Sequence, residues 1–279
     1  MTSKRFLFSI DLEEFYTGDG NPDESATALE ELVDSYLSFL DEVGGHCTFF
    51  VVGDVARKFP SLLKRIEAEG HELGCHGDKH IPLDQLDPAR FRDDLLANIR
   101  AIAEVTSRKP TGYRAPLMSV SEKTSWVYEI MASLGISYSS SVIPASTPLY
   151  GWPGFGQSAR MIDSVLEIPA TLVNFGGVKV PFSCGTYFRL LPLILLRRCF
   201  FGLDQVVGYF HPYDIDCKQR WNYQKELAGR PVLNHMLFVN RKTVIDKLKQ
   251  IVAMGYSICT YSDFVTKNDL ELEKRLQCP

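Results

Sequence analysis

The sequence predicts an α/β fold in which about seven parallel strands alternate with helices and close, or nearly close, into a barrel. Three observations carry that expectation. Short apolar runs rich in β-favouring residues alternate with longer segments whose apolar residues recur at helical spacing. No shift in composition marks a linker, so the alternation reads as one catalytic domain over residues 1–279, with a charged tail from about 267. Four short polar motifs each follow an apolar run directly, and strands of one barrel would bring all four to the rim at their carboxyl ends.

The elements follow in order. Residues 5–10 form an apolar first strand that ends in the acidic Asp11-Leu-Glu-Glu14. The Gly-, Asn- and Pro-rich residues 17–24 read as a loop, and Ser25 opens a helix to about Val43, carrying Leu29, Leu32, Val33, Tyr36, Leu37 and Leu40 at helical spacing. Gly44-Gly45 stops it. Residues 46–52 alternate as a second strand, with His46 at its start, and residues 54–69 are helical with a break at Pro60. Residues 71–75, beginning with His71, make a third strand that leads into His76-Gly-Asp-Lys-His80. A helix over 88–106, a short strand at 112–114, a helix over 121–134 and a strand at 136–142 come next. Residues 144–158, with repeated Pro and Gly plus Tyr150 and Trp152, read as a long surface loop. Then come a strand at 165–169, a helix over 186–201 despite Pro192, a strand at 205–211, a loop around His235, a helix over 241–254 and a last strand at 256–260.

Composition narrows the class. Hydrophobic residues make up 45% and charged residues 23%, within the range of folded globular proteins. A net charge of -4 gives no basic excess, which argues against a nucleic-acid partner. The cysteines number 7, an odd and scattered set with no C-x-x-C pair, so neither a zinc knuckle nor a disulfide framework is indicated. Free thiols suit a reducing compartment, and the apolar run before Asp11 is too short for a signal peptide, so a cytoplasmic location is expected. Residues 188–201, interrupted by Arg189, Pro192, Arg197 and Arg198, cannot span a bilayer. They read as a core helix or as a segment lying peripherally on the inner membrane with its arginines toward phosphates.

The motifs supply chemistry. His76 and His80 stand four apart, a spacing that on a helical turn brings both rings to one side. Two imidazoles and a carboxylate make a three-ligand set of the kind a hydrolytic divalent metal, Zn²⁺ above all, takes. Glu13 or Glu14 is the carboxylate, and strand alternation, which sends Asp11 and Glu13 to one face, favours Glu13. Asp11 is then a candidate base, Arg114 its ion-pair partner, His211 a candidate acid, and the Leu117 N–H a donor to an oxyanion.

The ordered set Ser9-Ile-Asp-Leu-Glu-Glu14, Gly70-His-Glu with His76 and His80, Gly112-Tyr-Arg-Ala-Pro116 and Tyr209-Phe-His-Pro212 resembles the polysaccharide deacetylase family, the chitin deacetylase-like carbohydrate esterases. Gly185-Thr-Tyr-Phe-Arg-Leu-Leu-Pro192 further resembles the branch found with bacterial surface-polysaccharide genes. The resemblance implies a distorted (β/α) barrel and metal-dependent removal of an N-acyl group from an amino sugar. It matches Asp11 to the base, His76 and His80 to metal ligands, Arg114 to the residue that orients the base, and His211 to the acid. Two positions depart from the family. Leu12 stands where a second, metal-binding aspartate is usual. Tyr209 stands where a leucine usually lines the acyl pocket, which suits a smaller group such as formyl. No Asp–Trp motif stands out to support His211, and Ser139-Ser140-Ser141 occupies about the place of an acidic residue. In the cytoplasm the substrate is expected to be a nucleotide- or lipid-linked sugar intermediate. The alternatives are a metal-free or differently metallated amidohydrolase acting on a small cyclic amide, and a non-catalytic sugar-binding barrel. Tyr187 and Arg189 either read a phosphate or carboxylate or pack.

Overall fold

Strand β1 (Lys4–Leu12) organises the molecule. Its residues alternate between two apolar environments. Phe6, Phe8, Ile10 and Leu12 face the helices, while Leu7 joins Phe50, Tyr138, Ile168, Val207 and Tyr261 in an inner cluster. Both faces are buried, as a parallel strand covered on each side requires. The computed structural model describes residues 4–14, 22–219 and 230–266.

From β1 the sheet runs through β2 (Thr48–Val51), β3 (Glu72–Cys75), β4 (Gly112–Tyr113) and β5 (Tyr138–Ser139) to β7 (Val165–Glu167), every pairing parallel. On its other edge β1 pairs β10 (Gln205–Phe210) over a six-residue register from Arg5↔Gln205 to Ile10↔Phe210. The last strand, β11 (Tyr256–Cys259), pairs only the first half of β1, Lys4↔Tyr256 to Leu7↔Cys259. The second half, Ser9 to Leu12, belongs to β2. The two strands therefore share one edge of β1 end to end.

The ring closes without a ladder between β7 and β10. Thr171 spans the seam instead, its N–H donating to the Val207 carbonyl (3.3 Å) and its Oγ1 accepting from the Val207 N–H (2.8 Å). Cys184 adds a single parallel bridge to Tyr209. The result is a distorted (β/α) barrel, as the strand–helix alternation and the motif resemblance predict.

The helices α1 (Pro22–Val43), α2 (Gly53–Lys58), α3 (Pro60–Ala68), α4 (Pro88–Ala103), α5 (Val127–Ser133), α6 (Gly185–Leu190), α7 (Leu193–Phe200), α8 (Pro231–Met236) and α9 (Val244–Val252) cover the outside. Pro60 is the first residue of α3, so the expected break falls where proline's fixed φ starts a helix. Pro192 likewise divides the apolar stretch into α6 and α7. Asp87 caps α4 by accepting the Arg90 N–H at 2.9 Å.

Several boundaries differ from the sequence expectation. His46 is exposed and lies ahead of β2, and His235 sits on α8 rather than in a loop. Helix α1 begins at Pro22, inside the span read as loop. Strand β6 (Arg160–Ile162) pairs antiparallel with β7, and β8 (Val173–Phe175) and β9 (Val178–Val180) form a separate hairpin. These strands are too short for apolar periodicity to register. Residues 17–21 of the expected loop and the charged tail from 267 lie outside the described residues.

Candidate active site

The inward-facing ends of β1, β3, β4 and β10 converge as the motif order predicts. Asp11 closes the inward column of β1 and is 3% exposed. Arg114, just past β4, is fully buried. Its Nη1 contacts both Asp11 oxygens at 3.1 and 3.3 Å, and its Nη2 donates to Ser9, Ser140 and Tyr261 at 3.2, 3.1 and 3.1 Å. The guanidinium also lies over the rings of Phe50 (4.6 Å) and Tyr209 (5.2 Å). A buried charge held on so many sides fixes the direction in which Asp11 presents its free edge.

His76 and His80 do not sit on a helical turn. The segment after β3 is irregular, with Gly77 at φ 75° and His80 at φ 53°, and these left-handed residues fold the chain back on itself. The ring centroids come to 4.9 Å. Helix α4 holds the turn from behind. Asn98, fully buried, accepts the His76 N–H (2.9 Å) and donates to the Val51 carbonyl (3.0 Å). Asp94, one turn earlier, accepts the amides of Asp78 (2.8 Å) and Lys79 (3.2 Å). The His76 Nδ1 lies 2.9 Å from the Arg114 carbonyl, so it carries the proton and leaves Nε2 as a free donor atom.

Glu13 meets that pair. Its Oε2 is 2.6 Å from His80 Nε2 and 3.9 Å from His76 Nε2, and one donor atom from each of the three residues lies within 4.8 Å of the others. Glu14 turns away to Lys58 at 2.5 Å. The alternation argument thus picks the carboxylate that the structure brings to the histidines. Burial pushes the Glu13 carboxyl up, but the His80 imidazole, helped by His211 and His76, outweighs it and holds the group at about 2. Burial pushes His76 down to about 4, keeping it neutral as a ligand must be. Two imidazole nitrogens and an ionised carboxylate oxygen, with one imidazole fixed by a carbonyl behind it, fit a divalent metal of the zinc type.

His211 stands across from them on the end of β10, its Nε2 3.9 Å from Asp11 and 3.8 Å from Glu13. Sequence reasoning found no support for it. The structure supplies Asp214, three residues on and fully buried, whose Oδ2 lies 3.1 Å from His211 Nδ1 and accepts the His211 N–H at 2.7 Å. Behind Asp214 is Arg189, also fully buried, with Nε 3.2 Å from Oδ1, an ion pair not aligned as a hydrogen bond. Arg189 therefore does not read an external anion. Gly185 makes this approach feasible, since a Cβ there would come within 1.9 Å of the Asp214 carboxylate. Burial lowers the His211 imidazole, but its bond to Asp214 outweighs that and raises it overall. The signal available in the sequence was the i,i+3 pair His211-Pro-Tyr-Asp214 on a short turn, a capping arrangement rather than a distant motif.

Leu117 and Met118 have left-handed φ of 55° and 54° in the turn after Arg114, strain of the sort that clusters at working sites. Pro116 is packed close to Gly77, which brings this turn beside the histidine loop. Ser141 steadies it by accepting the Ala115 N–H (2.9 Å), and buried Glu167 accepts the Ser141 and Val142 amides (2.7 and 2.9 Å). The serine run thus serves Arg114 and this turn, not His211. Tyr209 packs with Met118, Ile143, Ala145, Ala170 and Leu172 in an apolar wall near the rim. Trp152 is occupied by Phe155 (5.0 Å) and Arg160, and Tyr150 by Asp84 (3.0 Å).

Comparison with known proteins places this geometry. Residues 18–139 match the family described as polysaccharide deacetylase, and residues 140–263 match a domain of unknown function, DUF3473. A peptidoglycan deacetylase from Helicobacter pylori is 30% identical over 156 residues, 54% of this chain and 52% of that protein. The chain thus spans about half the length of that curated relative. A Mycobacterium smegmatis crystal structure assigned to the polysaccharide deacetylases superposes with a TM-score of 0.63 at 18% identity, over 96% of this chain and 92% of that one. A pseudoenzyme of carbohydrate esterase family 4 from Bacillus anthracis superposes at 0.52 with 13% identity, over 94% and 67%. The same barrel therefore occurs with and without catalysis, and the residues on the rim must decide. The ordered motifs, the barrel and the match over residues 18–139 agree, and over that part the chain is similar to the polysaccharide deacetylase family.

Proposed function

We propose that this protein is a metal-dependent hydrolase that removes an N-acyl group, acetyl or formyl, from an amino sugar. The observation that carries the proposal is the convergence of Glu13, His76 and His80 on one point, with Asp11 3.8 Å from His76 and His211 3.8 Å from Glu13. A divalent metal held by those three residues would polarise the amide carbonyl and make water acidic near neutral pH. Asp11, aimed by Arg114, takes the proton of the attacking water. The Leu117 N–H donates to the developing oxyanion. His211, protonated and steadied by Asp214, passes a proton to the leaving nitrogen, so that amide and water become amine and carboxylic acid. Tyr209 and its apolar neighbours would bound the acyl group, and the bulk of the ring favours a small one.

The substrate class follows from location. Cys47, Cys75, Cys184, Cys199, Cys217 and Cys259 are all free, which supports a reducing compartment. A cytoplasmic enzyme meets sugars while they are still nucleotide- or lipid-linked, so we assign it an intermediate of surface-polysaccharide synthesis. The test is amine release from N-acetylated and N-formylated sugars by the purified protein with its metal content measured. Asp11→Asn is expected to lower the rate on the order of 10²–10⁴-fold with the metal still bound. Undiminished release by that variant would remove Asp11 from the mechanism and leave the sugar-binding barrel as the better account.

A further inference from the structure

The exposed apolar side chains are not evenly spread. Among the described residues the two most exposed large ones are Phe201 (79%) and Ile194 (76%), and Leu195 (37%) lies beside them. All three belong to α7 or to the residue that ends it. Ile194 and Phe201 are seven residues apart, two turns along one side, and Arg197 and Arg198 lie between them, both exposed. Neither arginine makes an ion pair among the described residues, where exposed Lys218 and half-buried Lys249 both find a glutamate. No acidic residue occurs between Leu190 and Leu203, although the chain as a whole carries a net charge of -4. Leu196, Cys199 and Phe200 anchor the opposite side of α7 in the core, so the outward side is held in place.

We infer that this face of α7 docks on an anionic lipid bilayer. Apolar side chains flanking cations suit the headgroup boundary, where the rings and branched chains enter the acyl region and the guanidinium groups meet lipid phosphates. A protein partner would be expected to supply acids against the arginines and a shaped pocket for Phe201. A bilayer needs only the mixed, convex surface that α7 presents. No helix among the described residues is long and apolar enough to cross a membrane, so the attachment is peripheral. The inference concerns binding alone and does not rest on the hydrolase proposal.

The experiment is co-sedimentation of the full chain with vesicles of phosphatidylcholine alone and of phosphatidylcholine mixed with phosphatidylglycerol. Binding is expected on the mixed vesicles, weakening as salt is added. The double variant Arg197→Gln/Arg198→Gln is expected to bind about 25-fold more weakly, about fivefold for each charge. Phe201→Ser should also weaken binding, while Met161→Ser, at an exposed apolar position elsewhere, should not. Thermal unfolding of each variant confirms that it is folded. Three results would overturn the inference: no binding by the parent chain, equal binding to both vesicle types, or full binding by the arginine variant. A parent chain that ignores vesicles but forms a dimer broken by Phe201→Ser would assign the face to a second copy instead.

Discussion

Asp214 shows how much work one short-range residue does in this site. Its two oxygens join a half-buried histidine to a buried arginine, so the carboxylate stays ionised although it has no contact with water. Asp214→Asn keeps the size and loses the charge. It is expected to lower kcat on the order of 10–100-fold, with little change in KM, because His211 loses its orientation and its proton becomes easier to lose. Conversion of Asp214 to Glu should not rescue, since Gly185 leaves no room for a longer side chain. Steady-state kinetics across pH would show the alkaline limb moving to lower pH in the asparagine variant, and an unmoved limb would leave Asp214 a purely structural role. The sequence did not reveal this residue because its partner Arg189 lies in a separate motif, and only the fold brings helix α6 to the turn after β10. Asp11, Glu13, His76, His80, Arg114 and His211 were legible because each belongs to a short polar motif that follows an apolar run, a local pattern that survives without tertiary information.

Helix α4 is the element on which the histidine loop depends. Asn98 satisfies the His76 amide and the Val51 carbonyl together, tying β2 and β3 at the height of the donor atoms. Asn98→Leu would remove two buried side-chain hydrogen bonds, a cost of about 0.5–1.5 kcal/mol for each, while the His76 N–H keeps its 3.0 Å bond to the Val51 carbonyl. It is expected to lower the melting temperature and to weaken metal affinity about 10–100-fold, which titration with Zn²⁺ would measure. Affinity equal to the parent's would mean that the loop holds its shape without α4. The helix itself was plain in the sequence from the spacing of Phe91, Leu95, Ile99 and Ile102, while Asn98 in the midst of them gave no sign of its task. The His76–His80 turn was misread as helical for a related reason. An i,i+4 pair looks the same in sequence whether a helix or two left-handed residues bring the rings together.

At the scale of the whole barrel, ionisation at the end remote from the site bears on stability. His71 begins the segment into β3, is 8% exposed, and its Nδ1 accepts the Cys47 N–H at 3.3 Å. Burial, with His46 nearby, pushes it down from about 6.5 to about 4. The folded protein therefore keeps His71 neutral where the unfolded chain takes up a proton. Its contribution to stability is full above about pH 6.5 and is lost as pH falls toward 4. Thermal unfolding between pH 7 and pH 5 is expected to show a steeper fall for the parent chain than for His71→Gln, and parallel curves would contradict the assignment. The alternation of strands and helices announced the architecture, but the antiparallel β6 and the β8–β9 hairpin escaped notice because they add to the barrel without belonging to its repeat.

The seam beside β10 has a consequence for how the rim holds its spacing. On that flank the strand is fastened chiefly by one threonine, whereas on the other it is zipped to β1 along six consecutive positions. The hoop has a clasp on one flank of β10, and Asp11 and His211 end the two staves that are zipped together on its other flank. The spacing between Asp11 and His211 is therefore set by the zipped flank rather than by the clasp.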